Sequence, residues 1–341
     1  MIHDALRALV EGRDLDEREA NDAIEAVLSG DASAPQIAAL ATALRMKGET
    51  VTEISTAARA LRRRGAPIEG LPGAVLDTCG TGGGPASTFN VSTCAAIVVA
   101  SCGIKVAKHG LRAVTSRTGS ADVVEALGVR LDASREVVSR CLRDVGIGFL
   151  YAPSFHVALS NAGMVRQELG FRTIFDLLGP LANPAGATHQ LLGVHSPRYL
   201  RTMAEALARL GTRRAWVIHG GGGIDEVSPA GPTQVVALRQ GVLTESTVVP
   251  SDFGLKPAPI ETLRGGDPAH NASMIRRVLD GEAGGPRTAV VLNAAAAIAV
   301  ADVTGDLREA AEIAGDAIDS GRAAKTLDHW IEVSNAVIER P

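Results

Sequence analysis

Aromatic side chains are scarce in this chain, with 6 Phe, 2 Tyr and 2 Trp among 341 residues, and cysteines are scarcer still at 4. Cys79, Cys94, Cys102 and Cys141 form no Cys-x-x-Cys pair and have no histidine at zinc-ligand spacing, which argues against a zinc site or a disulfide framework. They read as free, reduced core thiols of a cytosolic protein. Long apolar runs are missing too. Cys94 to Ile104 and Ala294 to Ala301 fall short of the roughly 18 to 20 residues that a membrane span requires. The opening Met-Ile-His-Asp-Ala-Leu-Arg carries an acid where a signal peptide has its basic region, so an unexported, cytoplasmic protein with no membrane partner is expected. Basic charge is not in excess either. At a net charge of −4 the chain lacks the clustered Lys and Arg that nucleic-acid backbones demand. Its one basic cluster, Arg62-Arg63-Arg64, closes a helical pattern and reads as a solvated helix end whose cations complement the dipole.

What is abundant is small and apolar. With 46% hydrophobic residues the chain can bury a sizeable core, and its length suggests two domains. Disorder is excluded by the hydrophobicity, and collagen by the lack of any period among the 37 glycines.

The first 65 residues are helical in pattern. Asp16 with Glu19 has capping-box spacing and Gly30 stops the run; Ser33 opens a second helix that Gly48 ends; Thr50 with Glu53 opens a third, closed by Gly65 and Pro67. Three short helices bury little alone, so this unit should dock on another. From Gly73 the period changes, and strands near 74–78, 104–107, 148–152, 190–194 and 215–219 alternate with helices, one of them capped by Ser120. The fold class expected is α/β, a small helical N-terminal domain (1–70) joined to a large domain (71–341) with a mainly parallel central sheet and a helical C-terminal part. His156 to Leu169 reads as one long helix despite Gly163, and helices around 156–185 are expected to complete the N-terminal domain. Val235 to Val248 reads as a hairpin about Gln240-Gly241, an antiparallel edge.

Three stretches carry chemistry. Gly80-Thr81-Gly82-Gly83-Gly84-Pro85, followed by Thr88-Phe89-Asn90-Val91-Ser92-Thr93, takes a strand into glycines and then into a hydroxyl-rich helix start. Glycines bring backbone N–H groups close to an anion, and the helix N-terminus adds its dipole. The loop is neither a P-loop nor a dinucleotide fingerprint. Lys108-His109-Gly110 follows the next strand, so two strand ends should lie side by side at the carboxyl edge, where such sheets bind ligands. Lys108 offers a point charge to a phosphate. After the strand ending at His219, a loop of four glycines leads to Asp225-Glu226. Adjacent carboxylates suit Mg²⁺, which takes one or two carboxylates and shares phosphate oxygens. Singly, these are a structural turn, a solvated Lys-His pair and an acidic turn; together they define an anion site with its metal.

The ordered motifs resemble the anthranilate phosphoribosyltransferase family of tryptophan biosynthesis: Gly80-Thr-Gly-Gly, Asn90-x-Ser-Thr, Val106-Ala-Lys-His-Gly, Gly119-Ser-Ala-Asp, Arg172-Thr-Ile-Phe-x-Leu-Leu-Gly-Pro-Leu-x-Asn, Asp225-Glu226 and Asn293-Ala-Ala, spread over nearly the whole chain. The resemblance implies a pentosyltransferase that moves the 5-phosphoribosyl group of phosphoribosyl pyrophosphate (PRPP) to anthranilate, releasing pyrophosphate. It implies that Gly80, Thr81, Gly82, Gly83, Thr88, Asn90, Ser92, Thr93, Lys108, Thr115 and Ser120 bind PRPP. Ser92, Asp225 and Glu226 would bind Mg²⁺, with two ions expected. Gly80, His109, Leu111, His156 and Arg166 would line the acceptor's channel, Arg166 offering a bidentate fork to a carboxylate, and Lys108 and His109 would be catalytic. A homodimer paired through the helical domain is implied as well. Against the family pattern, Leu111 stands in place of Asn, Gly84 in place of Asp, Thr115 in place of Ser and Asp176 in place of Asn. Leu111 keeps open a PRPP-dependent enzyme for another aromatic amine; a non-catalytic nucleic-acid-binding relative is the alternative of a different class.

Overall fold

The computed structural model describes residues 2–82, 88–113 and 117–336. Four helices, not three, open the chain: Ile2–Val10, Glu17–Ser29, Ala34–Lys47 and Val51–Arg64. Capping boxes at Asp16, Ser33 and Thr50 start the last three. The first helix has no such box. It is held by Ile2, Ala5, Ala8 and Leu9, which join a core that also takes in Val165, Ile174, Leu177, Leu178 and Leu181 from beyond residue 160. Arg62 is not a solvated helix end. Its Nε donates to the carbonyl of Leu181 at 2.7 Å and its Nη1 to that of Leu210 at 3.1 Å, so it ties the helical unit to the sheet domain. Arg63 and Arg64 do lie at the surface, where both pair with Glu25.

The second unit is built on seven strands: β1 (Val75–Gly80), β2 (Lys105–Gly110), β3 (Ile147–Tyr151), β4 (His189–Gly193), β5 (Arg214–Gly220), β6 (Thr233–Arg239) and β7 (Val242–Val248). Their order is β3-β2-β1-β4-β5-β6-β7. The first five are parallel; β6 and β7 are antiparallel. The hairpin turn at Gln240 and Gly241 has positive φ at both residues (50° and 83°), which matches the twist of its strands. One face is covered by the helices Val91–Ser101 and Gly285–Val300, which pack against each other almost entirely buried. Their alanines and valines permit that close approach without aromatic bulk.

The segment 156–169 is broken, whereas its apolar period predicts one helix. A short helix Ala152–Phe155, a 3₁₀ stretch Val157–Ala162 and a helix Gly163–Leu169 follow one another. Within the segment the change from 3₁₀ to α falls at Ala162 and Gly163, while His156, just before the 3₁₀ stretch, is anchored by the bond between its Nε2 and the carbonyl of Ala182 at 2.7 Å. Ser120 is the first residue of the helix Ser120–Ala126, and Gly119 is its cap, with Asp122 accepting the Gly119 N–H at 2.9 Å.

Candidate active site

A cleft of about 580 Å³ opens over the carboxyl ends of β1 and β2 and receives the Asp225-Glu226 loop after β5. β1 and β4 are neighbours from which the chain runs outward in opposite directions, the topological switch point at which such sheets hold ligands. Gly80, Thr81, Gly82, Thr88, Asn90, Ser92, Lys108, Ser120, Asp225 and Glu226 line it, as do His109, Leu111 and Arg166. Gly83 and Thr115 lie outside the described residues, as does Gly84. Thr93 and His156 do not line the cleft. Thr93 turns into the core with its hydroxyl unpartnered, and His156 stands behind His109, the two rings meeting edge to face at 5.1 Å.

Lys108 is 1% exposed. Its Nζ donates to the carbonyl of Thr78 at 2.6 Å and to Ser92 Oγ at 3.2 Å. An ammonium has three donors, so one remains for the cleft. Burial pushes its pKa down, opposed by Asp77, Cys79 and the Asp225-Glu226 carboxylates. Asp77, beneath Lys108, is fully buried; desolvation lifts it to about 6, and its Oδ1 accepts the His109 N–H at 3.2 Å.

The acidic pair is held firmly rather than on a loose loop. Gly220 N–H bonds to the Ile224 carbonyl at 2.8 Å, and Ser228 Oγ to that of Gly221 at 2.9 Å. Asn293 accepts the Val227 N–H at 2.9 Å and donates to the Val227 carbonyl at 3.1 Å, which pins the residue after Glu226. Asp225 Oδ2 accepts the Gly82 N–H at 2.8 Å, joining the loop to the glycine turn. Glu226 is buried with Oε2 unpartnered, and burial together with Asp225 pushes its pKa well up. A buried carboxylate without a partner beside a second one is the environment that a hard cation relieves. Among the described residues no cluster of three or more His, Cys, Asp and Glu forms a self-sufficient cage, so a cation here would draw on other oxygens.

His109 Nδ1 meets the Gly179 carbonyl at 2.9 Å, which makes it the donor and leaves Nε2 unprotonated. Burial, with His156 adding to it, pushes His109 down to about 3, so the ring is neutral and a weak base. Cys79 lines the cleft while packing against the core shared with the helical unit, and burial pushes its thiol well up, against a nucleophilic role.

Two wall residues, Asn271 and Thr118, and one residue behind the wall, His195, are placed by partners from other parts of the fold. Asn271 donates to Asn90 Oδ1 at 3.0 Å and accepts the Gly266 N–H at 2.7 Å. Thr118 donates to the Gly266 carbonyl at 2.7 Å. His195, after β4, takes the Thr81 hydroxyl from two sides, its backbone N–H donating to Oγ1 at 2.9 Å and its Nδ1 accepting at 2.9 Å. Phe171, Phe175, Arg172 and Asp176 complete the wall that carries Arg166. Phe155, near these motifs in sequence, is buried elsewhere, in a separate core with Ile68 and Leu150.

A helical bundle docked on a sheet whose switch point holds a lysine, a glycine loop and paired carboxylates defines a glycosyl transferase of the two-domain type. The sequence matches the glycosyl transferase family over both parts, its helical bundle domain at residues 3–65 and its a/b domain at residues 72–324. The chain belongs to the anthranilate phosphoribosyltransferase family. It is 49% identical to the anthranilate phosphoribosyltransferase of Symbiobacterium thermophilum over 97% of either chain, and 50% identical to that of Chloroflexus aggregans over 98% of either. The crystal structure of the Thermus thermophilus anthranilate phosphoribosyltransferase superposes with a TM-score of 0.92 at 43% identity, covering 98% of this chain and 100% of that one. The Saccharomyces cerevisiae enzyme in complex with PRPP and Mg superposes with a TM-score of 0.90 at 28% identity, covering 98% of each chain.

Proposed function

We propose that this protein transfers the 5-phosphoribosyl group of PRPP to anthranilate, forming N-(5-phosphoribosyl)anthranilate and pyrophosphate in tryptophan biosynthesis. The observation that carries the reading is the meeting of Lys108, the Gly80–Gly82 turn and Asp225-Glu226 at one switch point, in a chain of this family. Relatives of known structure hold PRPP with Mg and, separately, 4-fluoroanthranilate.

The Ser92 end of the helix Val91–Ser101 turns a hydroxyl donor toward the phosphates, and the third donor of Lys108 adds a positive charge, while the N–H groups of Thr81 and Gly82 are held by the Gly193 carbonyl and Asp225. The unpartnered Glu226 oxygen, Asp225 and Ser92 fit Mg²⁺, whose chemistry when bound is to neutralise the charge that develops on the pyrophosphate oxygens. Two ions accord with the two carboxylates. The bond from the ribose C1 to the pyrophosphate oxygen breaks with its electron pair leaving on oxygen, and the amine nitrogen forms the new bond to C1, then loses a proton to water. An arylamine is nucleophilic while neutral, so the protein positions more than it activates. His109, with a free Nε2 and a low affinity for protons, orients the amine by accepting a hydrogen bond and does not store the proton. Arg166 faces the acceptor's carboxylate, and Leu111 lines the same cleft without a hydrogen-bonding group.

Pairing of two chains through the helical domain is part of the same reading. A cytoplasmic setting accords with four free cysteines. Stoichiometric release of pyrophosphate as anthranilate is consumed tests the activity directly.

A further inference from the structure

Arg166 does not wait in the cleft with an open fork. Its Nη2 pairs with Asp176 Oδ1 at 2.9 Å, and the two side chains are only 15% and 21% exposed. The other oxygen of Asp176 accepts the Thr173 N–H at 2.9 Å, closing the first turn of the helix Ile174–Leu181 and fixing the carboxylate in place. Arg166 Nε and Arg172 Nη1 are buried without partners. This wall therefore carries two guanidiniums against one carboxylate. A guanidinium binds a planar carboxylate best when both prongs of its fork are free; here one prong is engaged by a side chain of the same charge as the incoming group.

Resting on the acceptor assignment above, we propose that Asp176 is a specificity-determining residue of the acceptor site, holding part of the Arg166 fork and so setting how strongly carboxylate-bearing arylamines are preferred over uncharged ones. A carboxylated acceptor must displace Asp176 from Nη2 or share Arg166 with it, and either way meets a fixed like charge. An acceptor with a carboxamide meets no such repulsion and finds an acceptor oxygen already present for its N–H. Arg172 leaves the wall net positive, so carboxylates are still admitted.

Asp176→Asn removes the charge while keeping the shape and an amide oxygen for the Thr173 N–H. Binding of anthranilate and of anthranilamide is measured by calorimetry on the wild-type protein and on Asp176→Asn, with steady-state KM and kcat for both amines and KM for PRPP alongside. The ratio of anthranilate to anthranilamide affinity is expected to rise about five- to tenfold in Asp176→Asn, while KM for PRPP stays within about twofold. Asp176→Ala, which also removes the cap, should raise the same ratio. A ratio that stays constant or falls overturns the proposal, as does a parallel loss of affinity for both amines, which would mark Asp176 as purely structural, or a lack of binding by either amine. Because calorimetry needs no turnover, failure of the wild-type protein to release pyrophosphate would count against the proposed reaction and leave the binding ratio to decide the role of Asp176.

Discussion

A Cβ at Gly193 would overlap the backbone carbonyl of Asp225. β4, which ends at Gly193, lies between β1 and β5, so the loop after β5 must cross that strand end to bring Asp225 and Glu226 to the glycine turn and Lys108. It can do so because Gly193 has no side chain there. At Gly80 a Cβ would meet the Asp225 carboxylate instead, a side-chain end that could shift only by giving up its bond to the Gly82 N–H.

Gly193→Ala is expected to displace the acidic loop, cutting kcat/KM for PRPP by at least about tenfold and lowering stability by about 1–3 kcal/mol, the usual cost of overpacking. Gly231→Ala is the control: its Cβ meets nothing within 4 Å, and its φ lies outside the left-handed region. Steady-state kinetics and thermal denaturation of both variants check this.

Asn293 acts on the acidic pair through Val227. Asn293→Leu leaves a buried N–H and carbonyl of Val227 without their bonds, at about 1–3 kcal/mol for the unsatisfied groups. The Mg²⁺ concentration for half-maximal activity should rise with it. An unaltered Mg²⁺ dependence in a destabilised protein would confine Asn293 to a packing role.

His195 fixes the Thr81 hydroxyl and with it the start of the phosphate turn. His195→Ala should raise KM for PRPP about five- to tenfold, the loss of roughly one hydrogen bond, with KM for anthranilate little changed. His195→Asn, which restores an acceptor, should recover part of the loss.

Buried His109 makes stability depend on pH. Its pKa falls from 6.5 to about 3 on folding, so the folded state takes up its proton later than the unfolded chain and stability is lost as pH falls below about 6.5. Asp77 works the other way, since its pKa rises from 3.8 to about 6 and its burial is most costly above that window. Comparing His109→Gln with wild type by denaturant titration isolates the histidine. Between pH 7.5 and pH 5 the difference should move in favour of the glutamine variant by about 2 kcal/mol; no movement would show that His109 titrates normally.

Leu111 lines the cleft two residues from His109 and offers no hydrogen bond to either substrate. Leu111→Asn should raise kcat/KM for anthranilate about three- to tenfold if an amide there reaches both substrates. A fall would mean that apolar packing by Leu111 holds the ring.

The parallel strands and the closing hairpin are legible because alternating short apolar runs and Gln240-Gly241 are local signals. The strand ends are less so: β1 and β2 run on to Gly80 and Gly110, glycines that read as loop but complete the ladders. The helix Ile2–Val10 escapes a reading by caps because it lacks a capping box and is fixed by docking. The 156–169 segment is α-helical only over Gly163–Leu169, and over the six residues before it the apolar spacing does not tell a 3₁₀ turn from an α-helix. In the site, Lys108, Asp225 and Glu226 stand out by charge beside glycine. Asn271 and His195 do not, since what matters for them is a partner from another part of the fold, and Asp176 is visible only as a departure from the family pattern. The crossing of β4 by the acidic loop is likewise invisible, because the sequence places that loop after β5 and says nothing of its neighbours.

The most direct test mixes the purified protein with PRPP, Mg²⁺ and anthranilate and follows the loss of anthranilate fluorescence together with pyrophosphate release. One pyrophosphate per anthranilate consumed, dependence on Mg²⁺, and loss of turnover in Asp225→Asn/Glu226→Gln and in Lys108→Met are expected. Pyrophosphate release without consumption of the amine, or full turnover in either variant, would contradict the proposed reaction.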